Sequence, residues 1–294
     1  MIYGVIYWLT YRVIHQFETA GRRLPNGYLW LFENRGMDRL QRTLPNIVTE
    51  RGIDNGRVGN GYLTLAPHSR QMPEPNTQPP TRDHEIAHPL FATLYDWLPQ
   101  AFLLAPHRNS LVQNLSGRVL ELGCGTGDMF PFVADTEPSV LEYHAIEPDP
   151  HMRTRAARTA REAGLDVTLR DARAESLPYP DDSFDVVLAS VVFCTVQDPD
   201  AAVDEVARVL KPGGEFRFFE HVHADGWQGT GQQLLNPLWK RVAGGCQLTR
   251  ETLPRFVGHD AFAVDEIERL EFGIFPATPF VRGTLRRRRD SVLG

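Results

Sequence analysis

The residues with the clearest chemistry form one short run, Glu121-Leu-Gly-Cys-Gly-Thr-Gly127. Glycines at 123, 125 and 127 permit a tight turn and a close backbone approach to a ligand. An apolar stretch precedes the run and a helix start follows it, so free N–H groups face an incoming anion. The dinucleotide fingerprint G-x-G-x-x-G would require glycine at 128, where the chain has Asp128. Glu121 and Asp128 would also repel a diphosphate. A ligand with one carboxylate and a positive centre suits the run better. The amides take the carboxylate and the acids face the cation, which is the charge pattern of S-adenosylmethionine. Glu147, 20 residues after Gly127, ends a second apolar segment. An acid there can accept both ribose hydroxyls through its two oxygens.

These residues need a scaffold of strand ends. Apolar runs predict strands over 118–122, 141–146, 165–169, 184–189 and 215–220. Helices are predicted over 151–163, ended by Gly164, and over 200–210, stopped by Lys211-Pro-Gly-Gly214. Further helices are expected at 232–242 and 249–257. The segments 264–272 and 275–283 could form a final antiparallel pair. Strands alternating with helices indicate an α/β, doubly wound sheet.

The 294 residues are 42% hydrophobic and 23% charged, as in ordinary globular proteins. Net charge is −6, unevenly spread: +3 over 1–80, −12 over 81–285 and +3 from 286 onward. An acidic body is poorly suited to nucleic acid backbones. Lys211 and Lys240 are the only lysines, and an acidic, lysine-poor surface suits a salt-rich cytoplasm. No apolar run reaches the length of a membrane span, and no signal peptide pattern is present. Five prolines within 67–80 mark a linker. The expected organisation is an N-terminal extension over 1–80, a main domain over 81–285 with a helical insert over about 228–257, and a basic tail over 286–294. Ile2, Val5, Ile6, Leu9 and Val13 recur at helical spacing, which allows a packed helix or a weak membrane-surface contact. Three cysteines (Cys124, Cys194, Cys246) cannot all pair, and none lies in a CxxC. The expectation is a reducing, cytoplasmic setting with no structural zinc site and no metal.

Residues 88–283 resemble the class I S-adenosylmethionine-dependent methyltransferases. The resemblance is carried by Glu121 to Gly127, Glu147, the Ala174-Glu-Ser-Leu-Pro-Tyr-Pro-Asp-Asp-Ser-Phe-Asp185 run and Val209-Leu-Lys-Pro-Gly-Gly214. It implies a Rossmann-like, seven-stranded sheet of order 3-2-1-4-5-7-6 with helices on both faces and the last strand antiparallel. It also implies S-adenosyl-L-methionine across the ends of strands one, two and four, with S-adenosyl-L-homocysteine as product. By position, Glu121, Gly123, Gly125, Thr126 and Gly127 form the cofactor loop, with the glycines lining the methionine part. Glu147 holds the ribose, Pro148 and Met152 flank the adenine, Ala174 and Glu175 lie at its edge, and Ser190 lies beside the methionine. Many relatives have Asp just before that Ala-Glu pair. This chain has Arg173, which cannot accept a hydrogen bond.

A narrower resemblance points to the microsomal thiol S-methyltransferases, the methyltransferase-like seven family. Its residues are Phe193-Cys-Thr-Val196, Glu220-His-Val222, Gln232-Gln233, Asn236-Pro237, Trp239 and Gly245-Cys-Gln-Leu-Thr-Arg-Glu251. It implies a small-molecule acceptor, a thiol in particular. A thiol of free pKa about 8.5 attacks only as thiolate, so a base would help. His221 at the end of strand five is the best-placed candidate, and His223 a weaker one. Glu220 should point to the opposite face. Tyr95 and Asp96 could close over the cofactor. Trp239 and the cysteines read most simply as packing residues, with Cys246 also a candidate for the pocket. Two further readings stay open: methylation of a quinone-like or other lipophilic acceptor, and a cofactor-binding regulatory protein without turnover. No oligomeric state follows from the sequence.

Overall fold

The structure is a computed structural model, and it describes residues 100–136, 141–273 and 275–289. The N-terminal extension, the linker, Tyr95 and Asp96 lie outside the described residues. In chain order the elements are α1 (Gln100–Leu111), β1 (Gly117–Leu122), α2 (Phe130–Ala134), β2 (Leu141–Ile146), α3 (Pro150–Ala163), β3 (Val167–Arg170) and β4 (Phe184–Ser190). They continue with α4 (Pro199–Val209), β5 (Leu210–His221), α5 (Gly226–Val242), α6 (Thr252–Gly258), β6 (Phe262–Leu270) and β7 (Phe280–Arg287). The strands form one seven-stranded sheet of order β3-β2-β1-β4-β5-β7-β6. β1 to β5 pair in parallel, and β7 pairs antiparallel with both β5 and β6.

Side-chain alternation along each strand divides the core between the two faces. Leu120, Leu122, Val187, Phe216 and Phe218 pack on one face, under α4 and α6. There Phe256 meets Phe193, Phe216 and Phe218 at centroid distances of 4.7, 5.0 and 4.8 Å. Val119, Tyr143, Val186, Leu188 and Phe219 face the other way, toward α1, α2 and α3. The helices begin where the sequence supplies caps. Asp149 accepts from the N–H groups of His151 and Met152 at 2.8 and 3.1 Å, with Pro150 in the first turn of α3. Asp198 caps α4 through Ala201 N–H at 3.1 Å. Both arrangements follow from short acceptor side chains beside proline at a helix start.

Several boundaries differ from the sequence expectation. β5 begins at Leu210, with Lys211-Pro-Gly-Gly214 as an irregularity between the Phe184–Leu210 and Val186–Glu215 pairs. Lys211 is drawn there by Asp185, at 2.8 and 2.9 Å to its two oxygens. Asp185 also accepts from Arg118 N–H at 2.8 Å, tying β1, β4 and β5 together. β6 and β7 run over Phe262–Leu270 and Phe280–Arg287 instead of 264–272 and 275–283. α5 starts earlier than expected, at Gly226, and α6 later, at Thr252. The basic run is not tail throughout. Arg286 lies in β7, 2.9 Å from Glu215 and 2.7 Å from Asp265. Arg287 pairs with Asp182, and Arg288 donates to the Phe262 carbonyl at 3.0 Å. Those charges tie β7 to its neighbours β5 and β6 and to the residues before β4, an arrangement invisible to composition. No helix among the described residues is long and apolar enough to cross a membrane.

Candidate functional site

The glycine run turns at the carboxyl end of β1, with φ of 52°, 58° and 83° at Gly123, Gly125 and Gly127. The three glycines serve different ends. A Cβ at Gly123 would lie 2.9 Å from Val192, and one at Gly127 would lie 2.7 Å from Phe130. These two are small because protein packs against them. A Cβ at Gly125 would meet only the Met152 sulfur, at 3.8 Å, so that turn faces open space. Glu147, at the end of β2, holds the turn from beneath. Its Oε2 accepts from Gly125 N–H at 2.8 Å and its Oε1 from Asp149 N–H at 2.9 Å. Each oxygen retains a lone pair for a further donor. Burial raises the Glu147 pKa to about 6, against the pull of those two N–H groups. Met152 is buried against the turn and Pro148 is half-buried beside it. An open glycine turn, a buried carboxylate with spare acceptor capacity and a neighbouring apolar wall fit a ligand carrying a ribose and a flat base.

Other predicted cofactor residues have protein partners. Glu121 is buried, and its Oε2 accepts from the Tyr143 hydroxyl at 2.7 Å. Burial pushes its pKa up to about 7, with the Tyr143 hydrogen bond and Arg108 opposing. The Thr126 hydroxyl donates to Asp128 at 3.1 Å, and its carbonyl accepts from Thr159 at 2.8 Å. Glu175 is committed elsewhere: Oε1 accepts from the N–H groups of Gln197 and Asp198 at 2.8 and 3.3 Å, and Oε2 lies 3.7 Å from Arg173. Ala174 is buried in the core beside it. Ser190 ends β4 and accepts from Arg108 Nε at 3.3 Å. The sequence reading passed over Arg108. It is buried, pairs with Asp128 at 2.8 Å and so joins α1, the glycine turn and the end of β4. The available signal was an arginine within an otherwise mostly apolar helical run, 20 residues before Asp128.

A second group gathers at the carboxyl ends of β4 and β5. Val191 adopts a φ of 59°, a strained conformation for a β-branched residue. Its N–H donates to the Phe219 carbonyl at 2.8 Å. Glu220 is fully buried, and one oxygen accepts from the N–H groups of Val192 and Phe193 at 2.8 and 3.3 Å. Its other oxygen is buried without a partner, and burial lifts its pKa to about 7. His221 is the next residue of β5. Its Nε2 lies 3.1 Å from Cys246 Sγ, and Trp239 Nε1 donates to the same sulfur at 3.4 Å. Cys194 completes the group: one ligand atom from each of Cys194, His221 and Cys246 lies within 4.8 Å of the others.

This arrangement perturbs all three residues. Cys246 is lowered to about 4, first by the hydrogen bond with Cys194, then, against burial, by His221 and Trp239. Cys194 is pushed well up by its contact with Cys246 and by burial. Burial pulls His221 down, but the hydrogen bond and charge of Cys246 outweigh it and the net shift is upward. His221 is therefore not an isolated base. His223, the weaker candidate, faces the Gly229 carbonyl at 3.3 Å. Trp239 is half-buried and bonded to sulfur, whereas a core position had been the simpler expectation. Cys194 and Cys246 lie in the same group as His221.

Residues 120–218 match the family model described as a methyltransferase domain. The thiol S-methyltransferase TMT1B of Homo sapiens is 38% identical over 144 residues, covering 47% of this chain and 57% of that protein. TMT1A of Homo sapiens is 34% identical over 162 residues, covering 51% of this chain and 65% of that protein. The phosphatidylethanolamine N-methyltransferase of Cereibacter sphaeroides is 32% identical over 136 residues, covering 45% and 65% respectively. The matched region thus spans less than two thirds of each of these relatives. Among solved structures, a SAM-dependent methyltransferase of Thermotoga maritima superposes with a TM-score of 0.50 at 22% identity, over 68% of this chain and 97% of that one. The [4+2]-cyclase SpnF gives 0.50 at 24% identity, over 63% and 81%. These two likenesses establish the fold alone.

Proposed function

We propose that this chain, which carries a class I S-adenosylmethionine-dependent methyltransferase domain, transfers a methyl group to a small thiol. S-adenosylmethionine supplies the activated methyl group when bound. The chain's own residues hold and orient the reactants. Gly125 presents open backbone. Glu147 keeps that turn in place and offers its remaining lone pairs to the ribose hydroxyls. Met152 and Pro148 provide an apolar wall for the adenine, and Ser190, fixed by Arg108, borders the methionine side. Gly123 and Gly127 let Val192 and Phe130 pack close. With an activated donor, in-line transfer depends chiefly on proximity and alignment. Val192 touches Gly123, which brings the Cys194 loop beside the cofactor turn.

The clasp of Glu147 on Gly125, beneath an open turn, carries the cofactor half of this reading. The thiol half is supported by the similarity to two thiol S-methyltransferases. The test is formation of a methyl thioether from S-adenosylmethionine and a small alkyl thiol, detected by mass spectrometry at low and high salt. Product is expected with the native chain and not with Glu147→Ala. Absence of product despite measured cofactor binding would refute thiol transfer for those acceptors and favour a binder without turnover.

One observation favours a second reading, a lipophilic acceptor. α5 exposes Trp227, Leu234, Leu238 and Val242, by 77, 82, 61 and 54%, an apolar face suited to a lipid surface. One relative is a phosphatidylethanolamine N-methyltransferase. Methylation of a quinone or of phosphatidylethanolamine in vesicles, with no product from alkyl thiols, would establish that reading in place of the first.

A further inference from the structure

We propose that Cys194, His221 and Cys246 form a zinc site with one open coordination position, and that the acceptor thiol fills it. The inference deepens the thiol-transfer reading and rests on it. Two sulfurs and one imidazole nitrogen are a donor set that selects zinc over hard cations. Zn–S bonds of about 2.3 Å and Zn–N bonds of about 2.0 Å, at tetrahedral angles, place such ligand atoms roughly 3.5–3.8 Å apart. Here all three lie within 4.8 Å, with Nε2 of His221 and Sγ of Cys246 at 3.1 Å. Adjustments of a few tenths of an ångström to about one ångström in side-chain torsions would seat the ion.

The three ligands come from three segments that other contacts already hold together. Glu220 fixes the loop that carries Cys194, through Val192 and Phe193 N–H. Gln247 N–H donates to the Cys194 carbonyl at 3.0 Å, so the two cysteine segments are joined directly. Leu248 N–H donates to Asn236 Oδ1 at 2.8 Å, and Arg250 donates to the Val196 carbonyl at 2.8 Å. His221 is the last residue of β5. These contacts are made by the protein's own groups, independently of the three ligand atoms. Trp239 Nε1 donates to Cys246 Sγ, as outer-shell donors commonly do toward metal thiolates.

Ligand count defines the type of site. Structural zinc is closed by four protein ligands, whereas three leave a position for water or substrate. Among the described residues, no fourth His, Cys, Asp or Glu joins the group. Cys194 and His221 are buried while Cys246 is partly exposed, so access is from the Cys246 side. A thiol entering there displaces water, forms a Zn–S bond and releases its proton to solvent. Its sulfur then attacks: the new S–CH3 bond forms as the sulfonium C–S bond breaks, whose electron pair stays on S-adenosylhomocysteine. The ion is unchanged in charge, and no oxidant or reductant is needed.

The test is metal content and cobalt spectroscopy on the full chain. After purification without chelator and dialysis against metal-free buffer, about one zinc per chain is expected. The cobalt-substituted protein should show sulfur-to-metal charge-transfer absorption, which grows when an alkyl thiol is added. Cys194→Ser, Cys246→Ser and His221→Ala should each weaken metal binding by more than ~100-fold, and Trp239→Phe by ~10-fold. Unchanged S-adenosylmethionine binding shows that each variant is folded. No stoichiometric metal in a chain that binds the cofactor would overturn the site. Equal metal in the native chain and in folded Cys→Ser variants would overturn the ligand assignment. Cobalt bands that ignore added thiol would overturn the fourth ligand. These readouts are independent of turnover. A metal site with thiol-responsive bands but no thioether product would leave the binding inference standing and refute thiol transfer alone.

Discussion

Two loops at one edge of the sheet are each held by a buried glutamate, and they differ in what that glutamate leaves free. After β1, Glu147 uses one oxygen for Gly125 N–H and the other for Asp149 N–H. After β4, Glu220 uses a single oxygen for both Val192 and Phe193 N–H, and the second oxygen has no partner. The first clasp underlies an open turn formed by glycine, the proposed cofactor side. The second underlies a strained turn at Val191 and sets the position of a sulfur ligand, Cys194. A buried carboxylate that caps backbone N–H groups fixes a loop in either place. The chemistry differs because of the side chains each loop carries.

Removing each clasp separates the two roles most strongly. Glu147→Ala should reduce S-adenosylmethionine affinity ~100-fold or more, since charge-assisted hydrogen bonds contribute about 1.5–3 kcal/mol each; calorimetric titration measures this. Glu220→Ala should leave cofactor affinity within about threefold but lower kcat and reduce stability by about 1–3 kcal/mol, read by turnover and chemical denaturation. If both substitutions abolish cofactor binding alike, the division into two loops is wrong.

Titration sharpens the comparison on the cofactor side. Glu147 rises to about 6, so cofactor affinity should fall as pH drops through that value, and Glu147→Gln should remove the dependence. Glu121 rises from 4.5 to about 7 through burial. Between those values the folded chain binds more protons than the unfolded one, so this group makes stability decline as pH rises. Glu121→Gln keeps an acceptor for Tyr143 and should flatten that decline, by about 1–3 kcal/mol at most across the window. Melting temperatures over the same pH range would check it.

Smaller effects test the fine structure. Gly125→Ala should destabilise by about 1 kcal/mol through its positive φ, because the space beside it is open. Gly123→Ala should be worse, since the new methyl would press on Val192; denaturation midpoints rank the pair. The smallest expected change is at Lys211→Ala. Its bond to Asp185 is partly exposed, so its loss should amount to less than about 1 kcal/mol and leave cofactor affinity intact.

Residue order alone predicted the alternating strands and helices and the glycine turn, whereas the strand order came from the family resemblance. The elements so read are contiguous runs: an apolar strand, a glycine turn, a helix ended by Gly164. Local stereochemistry and hydrogen bonding decide such runs, so residue order is enough to read them. It also placed Glu147 correctly at a strand end. Contacts between distant segments are a different matter, because they exist only once the chain has folded. Lys211-Pro-Gly-Gly214 does stop α4, which ends at Val209, but the bulge it forms in β5 and the pairing of Lys211 with Asp185 appear only in the fold. Arg286 reads as tail, yet it lies in β7 and ties β5 to β6 through Glu215 and Asp265. Cys194, His221 and Cys246 have no common spacing and read as packing residues and a lone base. Parallel strands deliver the loop after β4 and the end of β5 to one edge, and the turn after α5 folds back over them. Proximity created that way depends on the packing of the whole sheet, and no local pattern of residues encodes it.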